Sequence, residues 1–161
     1  MLSTMVTIIP VENPISRKQR LEIIPLTNEH YRQVKSIFAE TFPMYTRESI
    51  ISAWRIRDRD YSVGIYNTNT NSIIGFALLM RTNHNSFHMS CFAIQKTNQN
   101  MGIGTIFMKC ILSKLKNERI SINLVPLYDV ARWYERLGFH QTGGKYLLHT
   151  HYYDTRSHGL R

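Results

Sequence analysis

The chain has 161 residues, 43% of them hydrophobic and 19% charged, with a formal net charge of +9 and only two cysteines, Cys91 and Cys110. This length suits one domain that buries its own core, and the balance excludes a disordered or fibrous chain. No Cys-x-x-Cys or paired His/Cys spacing points to a disulfide framework or a zinc site, and the longest apolar runs, such as residues 73–80, fall far short of a membrane span.

The first residues lack the basic start and long apolar stretch of an export signal, so the expected location is a reducing cytoplasm. Lysines and arginines are scattered rather than massed, which argues against a dedicated nucleic-acid tail.

Residues 1–19 combine a β-like run at 4–9 with Pro10, Pro14 and the start of a basic cluster at Arg17, Lys18 and Arg20. They read as an N-terminal extension or an extra edge strand. Residues 21–24 form the next expected strand, which Pro25 stops. Thr27 then caps a helix whose face carries Tyr31, Val34, Ile37 and Phe38. A second helix is expected after Thr46, with Ile50, Ile51 and Trp54 on one side.

Strands at 61–66 and 72–80 flank an Asn/Thr-rich turn, and a third follows at 87–94. On this last strand strict alternation puts Phe87, Met89, Cys91 and Ala93 on one face and leaves His88 and Ser90 on the other. Ile103, Ile106, Phe107, Cys110, Ile111 and Leu115 recur at three- and four-residue steps, the signature of an amphipathic helix. A strand at 120–125 and a helix at 130–137 come next, the helix capped by Asp129 and ended by Gly138. Residues 139–153 hold one or two strands interrupted at Gly143 and Gly144. The order is that of a mixed α/β domain over residues 20–153, with 154–161 as a C-terminal tail.

Between a strand and a helix lies Gln99-Asn100-Met101-Gly102-Ile103-Gly104. Two glycines allow close approach of a ligand to the backbone, and a helix N-terminus favours an anion such as a diphosphate. The same glycines are also compatible with a tight connection and nothing more. A dinucleotide fingerprint would need a third glycine where Phe107 stands, and a Walker loop would need Gly-Lys-Ser/Thr; neither is present.

Gln-x-x-Gly-x-Gly after a strand resembles the acetyl-CoA pyrophosphate motif of the GNAT family of N-acetyltransferases. Downstream, Ala131-Arg132-Trp133-Tyr134-Glu135-Arg136-Leu137-Gly138-Phe139 is similar to that family's Ala-x-x-Phe-Tyr-Glu-Lys-Leu-Gly-Phe segment. The resemblance implies a central mixed, mostly antiparallel sheet of six to seven strands flanked by about four helices. It implies acetyl-CoA as co-substrate, held by Gln99, Asn100, Met101, Gly102, Ile103, Gly104 and Thr105 and by the strand backbone at Phe92, Ala93 and Ile94.

By the same resemblance Tyr134 occupies the position of the acid that protonates the departing thiolate, although a core aromatic would fit the helix face equally. His88 falls where histone-type members place a basic carboxylate. A histidine can do that work near neutral pH, and it can also be a plain strand histidine. Many members carry an Asn where this chain has Leu127.

The implied reaction is direct transfer of acetyl from acetyl-CoA to a primary amine, of a polyamine or other small molecule or of a protein. The contrasting reading is a non-catalytic CoA-binding or basic interaction module of the same fold. Glu40, Glu48, Asp58 and Asp60 are the carboxylates expected on the acceptor side. Alternating His149 and His151, with His158, complete no metal site, and a monomer or homodimer is expected.

Overall fold

The computed structural model describes residues 8–11, 19–142 and 150–153. Its strands are β1 (Ile8–Val11), β2 (Gln19–Pro25), β3 (Val63–Asn67), β4 (Ser72–Asn83), β5 (Ser86–Ile94), β6 (Ser121–Leu124), β7 (His140–Thr142) and β8 (Thr150–Tyr153). The helices are α1 (Tyr31–Thr41), α2 (Arg47–Ile56), α3 (Ile103–Asn117) and α4 (Ala131–Arg136). All the strands join one sheet in the order β1-β2-β3-β4-β5-β6-β8-β7. Only β5 and β6 run parallel; every other pair is antiparallel. The expected mixed, mostly antiparallel sheet with four helices is therefore present, with eight strands instead of six to seven. The additions are β1 on the edge of β2 and the division of the last segment into β7 and β8. The expected run at 4–7, Gly143, Gly144, His149 and the tail at 154–161 lie outside the described residues.

The sheet separates two cores. On one face Leu79, Phe87, Met89, Ile103, Phe107, Ile111, Leu115, Ile122, Leu124 and Tyr134 pack together under α3 and α4. On the other, Val34, Ile37, Phe38, Ile50 and Trp54 of α1 and α2 cover Ile73, Phe76, Leu78, Cys91 and Ala93. Fully burying a side chain of the size of Phe107 or Phe76 contributes roughly 1.5–3 kcal/mol, so each layer is pinned by several such anchors.

β5 departs from the alternation expected of it. Leu78 faces Cys91 while its neighbour Leu79 faces Met89, so Ser90 is one residue too many for the ladder and forms a β-bulge. The bulge reverses the phase of the strand. Phe87 and Met89 point to the α3 core, whereas Cys91 and Ala93 point to the α1/α2 core.

Three local expectations also shift, the first being the cap at Thr27, which starts a 3-10 turn, Asn28–His30, while His30 takes the cap position of α1. The strand expected from Tyr61 starts at Val63, because Asp58 Oδ1 accepts the N–H groups of Asp60 (3.0 Å) and Tyr61 (3.1 Å) and holds them in a turn. Asp129 does not cap α4: it sits inside a 3-10 turn, Tyr128–Val130, and Val130 takes the cap position. Gly138 does end α4 with a positive φ of 101°, as a left-handed helix terminator should.

Candidate active site

The loop before α3 is shaped by two left-handed residues, Asn100 (φ 62°) and Gly102 (φ 77°). Gly102 stands at the N-cap of α3, and no side chain caps the helix. The first intrahelical bond runs from Ile106 N–H to Gly102 O at 3.2 Å. The N–H groups of Ile103, Gly104 and Thr105 have no hydrogen-bond partner among the described residues and point out of the first turn, where the helix dipole is positive. The side chain of Gln99 is spent on the scaffold: its Nε2 donates to Ile94 O at 2.8 Å and ties the loop to the end of β5.

β5 and β6 pair over only three residues, from Ser86↔Ser121 to His88↔Asn123. Beyond His88 they diverge, leaving the edge of β5 at residues 89–94 without a strand partner on that side among the described residues. The gap opens into a cleft of about 960 Å³. Its walls include Phe38, Phe42, Tyr45 and Ala53 from the α1/α2 layer and Gly104, Thr105, Trp133 and Tyr134 from the α3/α4 layer. His88, Phe92, Ala93, Ile94, Gln99, Asn100 and Gly102 line it as well.

Ten of the residues singled out from sequence thus converge on one cavity. Met101 and Ile103 do not line it: Met101 is exposed, and the Ile103 side chain is buried in the α3 core. Thr105 lines the cleft, but its hydroxyl accepts a hydrogen bond from Trp133 Nε1 at 3.0 Å, which fastens α4 to the start of α3. Trp133 also stands against Phe92, ring centroids 5.8 Å apart, and Phe92 stacks on Phe107 at 5.4 Å. Of the four carboxylates expected on the acceptor side, none lines the cleft. Glu40 Oε1 accepts the Lys96 N–H at 2.6 Å, and Asp58 is paired with Arg81 at 3.2 Å.

Tyr134 is 8% exposed, wedged edge-on between Trp133 and Phe139 at 4.8 and 5.5 Å. Its hydroxyl has no hydrogen-bond partner among the described residues, yet the residue borders the cavity. Burial, then the neighbouring Cys91, push its ionisation well above the ordinary phenol range. Burial likewise pushes the Cys91 thiol up to about 12, which keeps it protonated and a poor nucleophile. His88 is half-buried, and its Nδ1 meets Asn123 Oδ1 at 2.6 Å.

Sequence reasoning did not single out Trp133, Asn123, Lys96, Arg132 or Arg136 as site residues. Lys96, Arg132 and Arg136 bring positive charge to the cleft wall, against one acidic lining residue, Asp129. Among the described residues no group of three or more His, Cys, Asp or Glu could hold a metal, and no helix is long and apolar enough to cross a membrane.

An uncapped helix start, an open strand edge and a buried tyrosine meet in one cleft. Residues 27–148 match the family model described as acetyltransferase (GNAT) domain, and the chain belongs to the GNAT acetyltransferases, which use acetyl-CoA as acetyl donor. No curated protein is recognisably similar in sequence.

Among solved structures, Ard1 from Thermoplasma volcanium is 19% identical with a TM-score of 0.69, over 83% of this chain and 97% of that one. Tetrahymena GCN5 is 16% identical with a TM-score of 0.68, over 84% and 95%. A GNAT family acetyltransferase from Brucella melitensis, solved in complex with acetyl-CoA, is 12% identical with a TM-score of 0.64, over 83% and 87%. At these identities the likeness is one of fold.

Proposed function

We propose that this protein transfers the acetyl group of acetyl-CoA to a primary amine in the cleft between β5 and β6, with both substrates bound at once. The observation that carries the reading is the meeting, in one cavity, of an uncapped helix start, an unpaired strand edge and two proton-transferring side chains, Tyr134 and His88.

Acetyl-CoA supplies an acetyl group already activated as a thioester. The N–H groups of Ile103, Gly104 and Thr105 and the loop at 99–102 hold its diphosphate, aided by the helix dipole. Lys96, Arg132 and Arg136 add long-range attraction for the phosphates. The edge of β5 at Phe92, Ala93 and Ile94 accommodates an extended amide chain by strand addition.

A lysine-like acceptor has a pKa of about 10.4 and enters as an ammonium, so it must lose a proton before its nitrogen can attack. His88 takes that proton. As the nitrogen bonds to the acetyl carbon and the carbon–sulfur bond breaks, Tyr134 O–H protonates the sulfur and regains its proton from the new amide nitrogen. Two protons leave nitrogen and one reaches sulfur, so one is released to solvent for each turnover. The upward shift of Tyr134 keeps it a donor throughout the neutral range.

The acceptor side of the cleft is walled by Phe38, Phe42, Tyr45 and Ala53, with no carboxylate from α1 or α2. Such a wall favours an amine borne on an apolar or neutral body over a polyamine, which would need paired acids.

The test is thiol release from acetyl-CoA against polyamines, aminoglycosides, amino acids and peptides with free lysines or N-termini. Amine-dependent turnover is expected, lowered by about 10²- to 10⁴-fold in Tyr134→Phe and His88→Ala, with CoA affinity retained. Tight CoA binding with no amine-dependent thiol release by any member of the panel would favour a binding module instead.

A further inference from the structure

The last paired residues before β5 and β6 part are His88 and Asn123. On β6, Ile122 and Leu124 are buried in the α3 core, so alternation puts Asn123 on the opposite face, the one on which His88 emerges. Parallel register then sets the two side chains next to each other, both half-buried, with His88 Nδ1 2.6 Å from Asn123 Oδ1. His88 lines the cleft and Asn123 does not, so the amide stands behind the ring as seen from the cavity.

An amide oxygen only accepts hydrogen bonds, so Nδ1 must carry the proton in this contact. In a neutral imidazole the lone pair is then on Nε2, which has no hydrogen-bond partner among the described residues. We infer that Asn123 is a positioning residue that fixes the Nδ1–H tautomer of His88 and so presents an unprotonated Nε2 to the acceptor amine. The inference rests on the proposed role of His88 and deepens it.

The proton balance is simple. Nε2 takes one proton from the ammonium, the imidazolium keeps Nδ1–H on Asn123 Oδ1, and Nε2 later returns that proton to solvent. A neutral amide orients the ring without adding the charge that would hold the imidazolium in place, so the base resets after each turnover. The ionisable groups sharing the cleft with His88 are Tyr45, Cys91, Lys96, Asp129, Arg132, Tyr134 and Arg136. On β4 the residue opposite His88 is Met80, which does not titrate, and β8 brings Tyr152 into register with Asn123.

The experiment is ¹⁵N NMR of the imidazoles in the full-length chain with CoA bound, His88 being assigned by the signals lost in His88→Gln. In the neutral ring the protonated nitrogen is expected to be Nδ1. In Asn123→Leu it moves to Nε2, the form an unconstrained histidine side chain prefers, and kcat/KM for whichever amine of the panel is turned over falls about 10- to 100-fold, within what a general base supplies. CoA affinity and Tm stay as in the parent. In Asn123→Asp the tautomer is kept, but the carboxylate stabilises the imidazolium, so the acid limb of the pH–rate profile moves to higher pH.

An Nε2–H ring in the parent chain would overturn the inference, since Asn123 would then be donating through its nitrogen. So would a tautomer and acid limb indifferent to both substitutions. The underlying role of His88 is judged separately: if His88→Gln keeps the acid limb and the rate, His88 is not the base. If that limb is lost while Asn123 proves silent, only the inference about Asn123 fails. Should Asn123→Leu not fold, the parent spectrum and Asn123→Asp decide the matter alone.

Discussion

Replacing Gly104 by Ala should move stability and ligand affinity in opposite directions. Gly104 lies in the first turn of α3, and a methyl built there would meet Ile94 Cγ1 at 3.5 Å, Phe92 Cε1 at 3.9 Å and Trp133 Cζ2 at 3.9 Å. These are ordinary contacts, so nothing has to move. Alanine in a helix is favoured over glycine by about 0.5–1 kcal/mol, which for a chain of this size raises Tm by roughly 1–4 °C.

Ile94, Phe92 and Trp133 all lie on the cleft wall, however, so the new methyl occupies space that a diphosphate on the α3 amides would need. Losing one charge-assisted hydrogen bond costs about 1.5–3 kcal/mol, or roughly 10- to 150-fold in Kd. Thermal unfolding with and without CoA, beside titration calorimetry, reads both effects. A CoA concentration of 100 times the parent Kd stabilises the parent by about 2.7 kcal/mol and the variant by much less. The two melting curves should therefore exchange order when CoA is added. The reasoning fails if the variant melts lower without ligand, or if CoA shifts both proteins equally.

Gly75→Ala should behave differently, because its methyl would lie 2.6 Å from Ile94 Cδ1 and 2.9 Å from the backbone oxygen of Ala93. A backbone atom cannot step aside, so a loss of about 1–3 kcal/mol is expected in urea unfolding, together with weaker CoA binding as the end of β5 is displaced; an unchanged urea midpoint would contradict it. Alkaline pH should also weaken the fold. Burial and then the hydrogen bond to Glu118 push the Tyr61 hydroxyl up to about 12, burial alone pushes Cys91 to about 12, and Tyr134 is raised too. Folded groups that hold protons more tightly than unfolded ones give stability that is intact below about pH 9 and is lost as pH rises towards 12. The urea midpoint at pH 10.5 should thus lie below that at pH 8, and a rise would refute the assignment.

Much of this architecture was legible in the residues. Three- and four-residue spacing located α1 and α3, Gly102 and Gly104 marked the helix start that faces the cleft, and Tyr134 was placed by its neighbours in the motif. The bulge at Ser90 was not, because an extra residue in a strand leaves no trace in hydrophobic alternation, and strict period-two reading puts Cys91 and Ala93 on the same face as Phe87 and Met89, from which the bulge separates them. Asn123 was equally hidden. It lies 35 positions from His88 in the chain, and their contact depends on the register of a parallel pair only three residues long. Asp129 misled for a local reason: acid residues favour helix starts, but here a 3-10 turn precedes the helix and shifts the cap by one residue.

The parting of β5 and β6 leaves a cleft lined from both layers of the sheet. The cleft between them is lined by Phe38 of α1 and by Phe42 and Tyr45 just after it, and also by the start of α3 and the flank of α4. On the proposed reading the two substrates approach from opposite sides of the sheet and meet in that cleft, so neither has to leave before the other arrives. Inhibitor design inherits a linear geometry from this. A single thread-like molecule, a pantetheine arm joined through a short amide to an apolar amine mimic, would lie along the cleft and be gripped on both sides, and its affinity would draw on both half-sites at once.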